Sequence, residues 1–295
     1  MESSTPPAAE TGGSASFASR AHPGVYITEI AASSPSVVGV ATAVPAFIGY
    51  TQTAAIAGKS VLNQPVPITS LEEYEQTFGA APQPKYRIQT LDEPAPGSFS
   101  VLNPTVEPPA TVFFTLAAEG QRYNLYDSLQ LFYANGGGAC YVVSVGSYDA
   151  PVAAADLLRG LDAVAAQAGP TMLVIPDAVL LPPDDPTTPW VSSAFSQVAQ
   201  AMLRQADTLQ DRIAILDVYG TGSLSQARGA PPLDTVIAQF RDSVGGQGLS
   251  YGAAYFPFLA TTMVGADGVS LGWIDNTPPV EGKPGILQDI LSWEA

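Results

Sequence analysis

The feature that most constrains the fold is a regular alternation of helix and strand patterns between residues 121 and 260. Four apolar residues are spaced for one face of a helix that the run Gly136-Gly137-Gly138 ends: Leu125, Leu129, Phe132 and Tyr133. The following patterns alternate: strands at 139–145, 172–175, 213–219 and 251–258, and helices at 152–168, 190–209 and 233–240. Such alternation predicts a mixed, mostly parallel sheet flanked by helices, so residues 121–260 are expected to form an α/β domain.

Two extended segments precede this domain, within residues 21–52. The first is an N-terminal strand of alternating character: Val25, Tyr26, Ile27, Thr28, Glu29 and Ile30. The second is an apolar run from Val37 to Tyr50. Residues 1–20 are rich in Ser, Ala, Thr, Pro and Gly and are predicted to be a disordered tail. The first strand therefore has no assured partner. It either pairs within its own fold, as sequential elements usually do, or adds to a sheet in a neighbouring molecule.

Residues 53–120 are predicted to hold one helix and a proline-rich β excursion. Ser70 and Glu73 form a capping box that predicts a helix at 71–78, ended by Gly79. Seven prolines lie between residues 80 and 109, so this part is expected to be a surface excursion with short strands at 86–91 and 99–102. A strand at 111–116 is expected to return to the core. Residues 261–295, with a helix at 286–293, are interpreted as the start of an incomplete C-terminal region.

The charge balance disfavours two classes of partner. The chain carries 27 acidic and 11 basic residues, a formal net charge of −16. Binding to nucleic acid or to an anionic membrane surface requires clustered basic side chains, which the sequence lacks. The N-terminus does not have the pattern of a secretory signal, and no run is long and apolar enough to span a bilayer. We therefore expect the protein to be kept in the cytoplasm during assembly.

The residues that could carry catalysis are few. The only histidine, His22, lies beside the tail, so no Ser-His-Asp arrangement is expected within residues 121–260. The glycine run 136–138 follows a helix and precedes a strand, the reverse of a nucleotide-binding loop, and is interpreted as a helix C-cap and turn. Lys59, Lys85 and Lys283 stand apart from each other, so no catalytic lysine is predicted.

The possible metal-binding residues are equally sparse. Asp184-Asp185 lies between prolines without the spacing of a calcium loop and is interpreted as a solvated acidic turn. Asp267-Gly268 is interpreted as a turn. The single cysteine, Cys140, excludes an intramolecular disulfide and is expected to be a buried apolar residue. No catalytic, cofactor or metal site is therefore predicted, and the chain is not expected to be an enzyme.

Five stretches match a known family in sequence order. They are PGVYITEI with SPSVVGVATAVPAFIGYT (23–51), PVPITSLEEYEQTFG (65–79), LYDSLQLFYANGGGACYVVSVG (125–146), MLVIPDA (172–178) and SYGAAYFPFL (250–259). In these stretches the chain resembles the contractile tail sheath proteins of contractile phage tails and phage-tail-like injection particles. The matches are scattered across most of residues 22–260.

The resemblance implies both a fold and a function. It implies a core domain of subtilisin-like topology without a catalytic triad, and many copies stacked around an inner tube. Residues 25–30 match the N-terminal arm, which in this family joins a sheet shared between neighbouring subunits while the sheath shortens and drives the tube. The implied partners are other copies of the chain, the inner tube protein, the baseplate and the terminator or cap proteins. The implied location is a phage tail or a released extracellular particle.

The resemblance also leaves alternatives open. Sheath proteins usually continue well beyond the last matching strand, so tube binding is not assigned here, and this chain alone is not expected to form contractile tubes. A receptor- or carbohydrate-binding module of such a particle, seated in the 80–109 excursion, is one alternative. An α/β hydrolase-like enzyme is another, which the histidine count disfavours.

Overall fold

The computed structural model describes residues 42–95, 97–221, 232–259, 261, 270–275 and 286–294, and these all belong to one compact unit. The strands in chain order are β1 Pro45–Thr51, β2 Ala55–Ile56, β3 Lys59–Ser60, β4 Val66–Ile68, β5 Lys85–Leu91, β6 Phe99–Asn103, β7 Ala110–Glu119, β8 Cys140–Ser147, β9 Met172–Val174, β10 Ile213–Asp217, β11 Gly252–Tyr255 and β12 Ile274–Asp275. The helices are α1 Leu71–Phe78, α2 Leu125–Ala134, α3 Ala154–Ala165, α4 Ser193–Leu209, α5 Leu233–Val244 and α6 Ile286–Glu294.

The main sheet has six strands in the order β11-β10-β9-β1-β8-β4. The first five of these pair in parallel, and only the edge strand β4 is antiparallel to its neighbour. The expected mostly parallel α/β sheet is therefore confirmed. Strand β1, from the second extended segment of the sequence, lies in the middle of the sheet between β8 and β9.

Both faces of the main sheet are covered by helices. Along β1, Ala46, Ile48 and Tyr50 pack with apolar residues of α3, α4 and α5, whereas Phe47 packs on the other face with residues of α1 and α2. Strand β8 alternates in the same way, with Val143 on the first face. A strand that is buried on both faces reads as a continuous apolar run, which explains why PAFIGYT is buried at every position.

The local signals in the sequence predicted helix ends well. Ser70 Oγ accepts a hydrogen bond from the backbone N–H of Glu73 at 3.2 Å. The Glu73 carboxylate accepts one from the backbone N–H of Thr69 at 2.6 Å, so the two side chains satisfy two free donors at the start of α1.

No helix among the described residues has both the length and the apolar character needed to cross a membrane.

A second sheet has four strands in the order β12-β5-β7-β6. Strand β7 pairs antiparallel with β5 and β6, so the expectation that residues 111–116 return to the main core is wrong. The reason is that β7 is the middle strand of its own small sheet, with a separate core beneath α6. Four buried residues form that core: Ile88, Val101, Phe114 and Ile290.

The small sheet joins parts of the chain that are distant in sequence. Ile274 of β12 pairs in parallel with Tyr86 of β5. The Arg87 guanidinium lies 2.5 Å from a Glu119 carboxylate oxygen and 2.9 Å from an Asp275 carboxylate oxygen, so one cation links three strands. Residues from the proline-rich excursion and from the region after residue 261 thus build one structure.

Candidate functional site at the carboxyl edge of the main sheet

The carboxyl edge of the main sheet is where an α/β protein ordinarily places its site. Strands β8 and β9 lie on opposite sides of β1, so the connections that leave them diverge at this edge. Divergence of this kind opens a crevice, and open α/β sheets bind ligands there. Tyr50 of β1 and Asp177, which follows β9 in the 3-10 turn Pro176–Leu180, both lie at this position.

Asp177 occupies the crevice with its own carboxylate. Its side chain is fully buried. Oδ2 accepts a hydrogen bond from the backbone N–H of Tyr50 at 2.9 Å, and Oδ1 accepts one from the backbone N–H of Asn124 at 2.6 Å. Asn124 is the N-cap of α2, but its side chain donates to the Pro176 carbonyl and caps no helical N–H. Asp177 therefore supplies from a distant part of the chain the negative charge that a helix start favours.

Opposing effects set the protonation of Asp177. Burial raises the pKa of its carboxyl from 3.8 to about 6, because a charged group is disfavoured away from water. Hydrogen bonds from the backbone N–H groups of Tyr50, Asn124 and Leu125 lower the pKa and limit this rise. At neutral pH the carboxylate is ionised and directed at N–H groups of its own chain.

The approach of Asp177 to β1 depends on Gly49. A Cβ atom at this position would lie 2.5 Å from Asp177 Oδ2 and 3.0 Å from Leu125 Cβ. The first distance is shorter than real Cβ contacts allow and the second is tighter than most of them, so glycine at this position lets α2, β1 and Asp177 approach one another. The backbone at Gly49 and the carboxylate of Asp177 therefore fill the crevice at the point where a ligand would enter.

Tyr50 ties the same edge to α3. Its hydroxyl donates to Asp156 Oδ2 at 2.7 Å and accepts from the backbone N–H of Ala153 at 3.0 Å. Burial and the hydrogen bond to Asp156 both raise the pKa of the Tyr50 phenol, so it stays protonated. The Tyr123 ring packs 5.6 Å from the Tyr50 ring, centroid to centroid, and extends the aromatic wall of the crevice.

Two hydroxyl groups near this edge are also hydrogen-bonded. Thr51 Oγ1 and Ser144 Oγ lie 2.6 Å apart, and both residues are fully buried. Thr51 Oγ1 also donates to the Thr53 carbonyl at 2.6 Å. Within the described ranges, no group of three or more His, Cys, Asp and Glu side chains could hold a metal ion.

The predicted turn and acidic loop have structural roles here. Gly136 has a φ of 83° and directly follows the Asn135 C-cap of α2, as the helix C-cap interpretation required. Asp184 accepts hydrogen bonds from the backbone N–H and the hydroxyl of Ser193, at the start of α4. Asp185 accepts from the Thr187 N–H and hydroxyl, each at 2.8 Å, and these bonds lower the pKa of its carboxyl.

Cys140 is buried at the amino end of β8, away from the carboxyl edge. Burial raises the pKa of its thiol to about 11, so the thiol is protonated at neutral pH. The predicted arm strand Val25–Ile30, His22, Asp267 and Lys283 lie outside the described residues. Lys59 and Lys85 are exposed and far apart in the sequence, at the starts of β3 and β5.

Sequence reasoning did not single out Asp177 or Gly49. The available signal was an aspartate directly after the buried strand MLVIP, because residues that follow parallel strands gather at one sheet edge. The pattern could not predict which backbone N–H groups bind the Asp177 carboxylate, because these groups belong to β1 and to the start of α2.

The sequence and the fold were compared with protein families, curated proteins and solved structures. No protein-family model matches the sequence. No curated protein matches it either. A structural match is a chain in the cryo-EM structure of the anti-feeding prophage baseplate, with a TM-score of 0.38 and 19% sequence identity. It covers 81% of this chain and 47% of that chain, so this chain spans about half the length of the protein it matches. A likeness this weak assigns neither a fold nor a function.

Proposed function

We propose that this chain is a structural, non-catalytic subunit of the contractile sheath of a phage-tail-like injection particle. In this proposal, copies assemble around an inner tube through strand exchange, and contraction of the assembly drives the tube. The partners are other copies of the chain, the tube protein, the baseplate and the terminator or cap proteins. The subunit is kept in the cytoplasm during assembly and then forms part of a phage tail or a released particle.

The observation that carries the proposal is where the family-like stretches lie in the fold. The described parts of these stretches form five of the six strands of the main sheet: β1, β4, β8, β9 and β11. They also form α1 and α2. Scattered motifs that matched by chance would not be expected to fall together on one sheet, so the resemblance concerns the core of the molecule.

The carboxyl edge of the main sheet supports a non-catalytic role. Asp177 is buried and bonded to backbone N–H groups, and Gly49 brings the backbone directly against it. A helix start of this kind can bind an anionic ligand, but here the chain's own carboxylate takes that place. A protein can keep an α/β fold without a catalytic or ligand-binding site at the carboxyl edge of its sheet.

The experiment is negative-stain electron microscopy of the full chain, alone and co-expressed with the inner tube protein of such a particle. We expect ordered tubes in the co-expressed sample. Deletion of residues 22–30, which removes the predicted arm strand, should abolish the tubes. Deletion of residues 2–20 is the matched control and should leave them intact.

Three outcomes would count against the proposal. Tubes that form normally without residues 22–30 would eliminate strand exchange by this arm. A chain that stays monomeric at all concentrations, alone and with the tube protein, would eliminate the sheath role itself. Hydrolysis of an ester or peptide substrate that Asp177→Asn abolishes would favour the hydrolase alternative.

A further inference from the structure

A cavity of about 430 Å³ lies between the first half of α4 and the second half of α5. Such a volume is in the range of ordinary ligand pockets. Phe195, Tyr219 and Phe240 form a buried aromatic floor, and Trp190 lies half-buried at the wall. Among its lining residues are two exposed carboxylates, Asp184 and Asp242.

The chemistry of this cavity suits a cation. No lysine or arginine is among its lining residues, so the two carboxylates give it a negative potential. Aromatic faces attract ammonium groups, most strongly when water is partly excluded. Gln197 and Gln239 add amide oxygens at the wall, which accept hydrogen bonds from an ammonium group.

An exposed hairpin on the same chain carries a cation. Strands β2 and β3 form a hairpin whose two turn residues, Ala57 and Gly58, have φ values of 49° and 76°, as tight hairpins require. Lys59 is exposed directly after the turn, and no ion pair is found for it among the described residues. Ile56 on the opposite strand is 45% exposed. Val61 N–H donates to the Ala54 carbonyl at 3.0 Å and anchors the hairpin base.

We propose that the β2–β3 hairpin of one copy inserts Lys59 into the α4–α5 cavity of a second copy. The argument is charge complementarity. Copies of a chain with a net charge of −16 repel each other, so contact is favoured where an exposed lysine meets a carboxylate-lined cavity. Hairpin and cavity are different surfaces, so the contact is head-to-tail and can continue into rings or helical filaments. This inference rests on the proposed self-assembly and names one contact within it.

The test is a charge swap in the full chain, with association measured by sedimentation velocity over a concentration series. Asp242 is the residue to change, because Asp184 also caps α4. We expect Lys59→Glu and Asp242→Lys each to weaken self-association about tenfold or more, because each places like charges in contact. The double variant Lys59→Glu/Asp242→Lys should recover association to within about threefold of the wild type.

Two matched variants control for net charge. Lys85→Glu and Asp162→Lys change exposed residues outside both surfaces by the same charge and should alter association by less than about threefold. Association of both single variants at the wild-type level, or a double variant weaker than either single one, would overturn this contact alone. A wild-type chain that does not associate at any concentration would also overturn the contact, whereas the proposed assembly is tested separately by electron microscopy.

Discussion

The Asp177 carboxylate accepts a hydrogen bond from the backbone N–H of Tyr50 at 2.9 Å across 127 residues of sequence. With the N–H of Asn124 on its other oxygen, this one side chain holds the end of β1 and the start of α2 together. The relationship makes Asp177 the most consequential charged residue at the carboxyl edge. It also gives the protein a dependence on pH that can be measured.

The pH dependence of stability should change when Asp177 is replaced by asparagine. The carboxyl binds a proton more readily in the folded chain, with a pKa of about 6, than in the unfolded chain, where the pKa is near 3.8. Its contribution to the free energy of unfolding therefore falls as pH rises from about 4, by up to about 3 kcal/mol, and levels off above about pH 6. Urea unfolding between pH 4 and 7 should show this fall in the wild type and a smaller one in Asp177→Asn.

Near pH 4 the same variant should be less stable than the wild type, and the difference should narrow as the pH rises, because asparagine does not ionise. One amide group replaces an acceptor oxygen, so a buried N–H of Tyr50 or Asn124 loses its partner at a cost of about 1–3 kcal/mol. Asp162→Asn, an exposed change on α3, is the control and should alter the free energy of unfolding by less than about 0.5 kcal/mol. An unchanged pH slope in Asp177→Asn would show that this carboxyl does not titrate as its burial requires.

Replacement of Gly49 by alanine should destabilise the fold. The added methyl group would lie 2.5 Å from Asp177 Oδ2 and 3.0 Å from Leu125 Cβ. Asp177 is held by its hydrogen bonds and Leu125 by the packing of α2, so neither can easily move away. We expect a loss of about 1–3 kcal/mol in the free energy of unfolding, the usual cost of overpacking. Gly138→Ala is the matched control, because no atom lies within 4 Å of a Cβ there. Equal stability of the two variants would mean that the β1 edge tolerates a side chain.

Arg212 is expected to be the basic residue whose loss costs most. Its side chain is 1% exposed and donates to the carbonyls of Val164 at 3.0 Å and Gln167 at 3.1 Å, at the end of α3. Arg212→Met removes the side-chain donor to the Gln167 carbonyl and one of the donors to the Val164 carbonyl, which also accepts from the backbone N–H of Gln167. The change should lower the free energy of unfolding by about 2–4 kcal/mol. Arg204→Met, at an exposed site on α4, should change it by less than about 0.5 kcal/mol. Chemical denaturation of both variants measures these two losses, and equal losses would contradict the prediction.

The small sheet should open separately from the main sheet when its core is weakened. Ile290 of α6 is 6% exposed and packs in the cluster of Ile88, Val101 and Phe114. Ile290→Ala should remove about 2–4 kcal/mol of packing. Hydrogen exchange should then quicken in β5, β6 and β7, with β1 and β8 still protected. Leu291→Ala, half-exposed on the same helix, should leave exchange unchanged. Equal acceleration in β1 would mean that the two sheets unfold as one.

Local signals predicted most of the secondary structure because they act over a few residues. Ser70 and Glu73 identify the start of α1, since both caps form within that turn. The 3.6-residue and 2-residue periods located α2 and β8 for the same reason. The α/β class followed from the order of these elements.

Pairings between distant elements could not be predicted in this way. The sequence shows that Ile274 is apolar but not that it pairs with Tyr86 in the small sheet, because a strand has the same period whatever its partner. Strand β7 was expected in the main core for that reason. Asp177 was overlooked because the N–H groups that make it important belong to backbone far away in the chain, and backbone carries no sequence signal.

The packing of α6 on the small sheet also has a mechanical consequence. Helix α6 is joined to β6 and β7 by side-chain packing, with Trp293 6.4 Å from Phe114 between ring centroids. We expect a force applied at α6 to act first on this packing between the helix and the small sheet, and only afterwards on the parallel strands around β1.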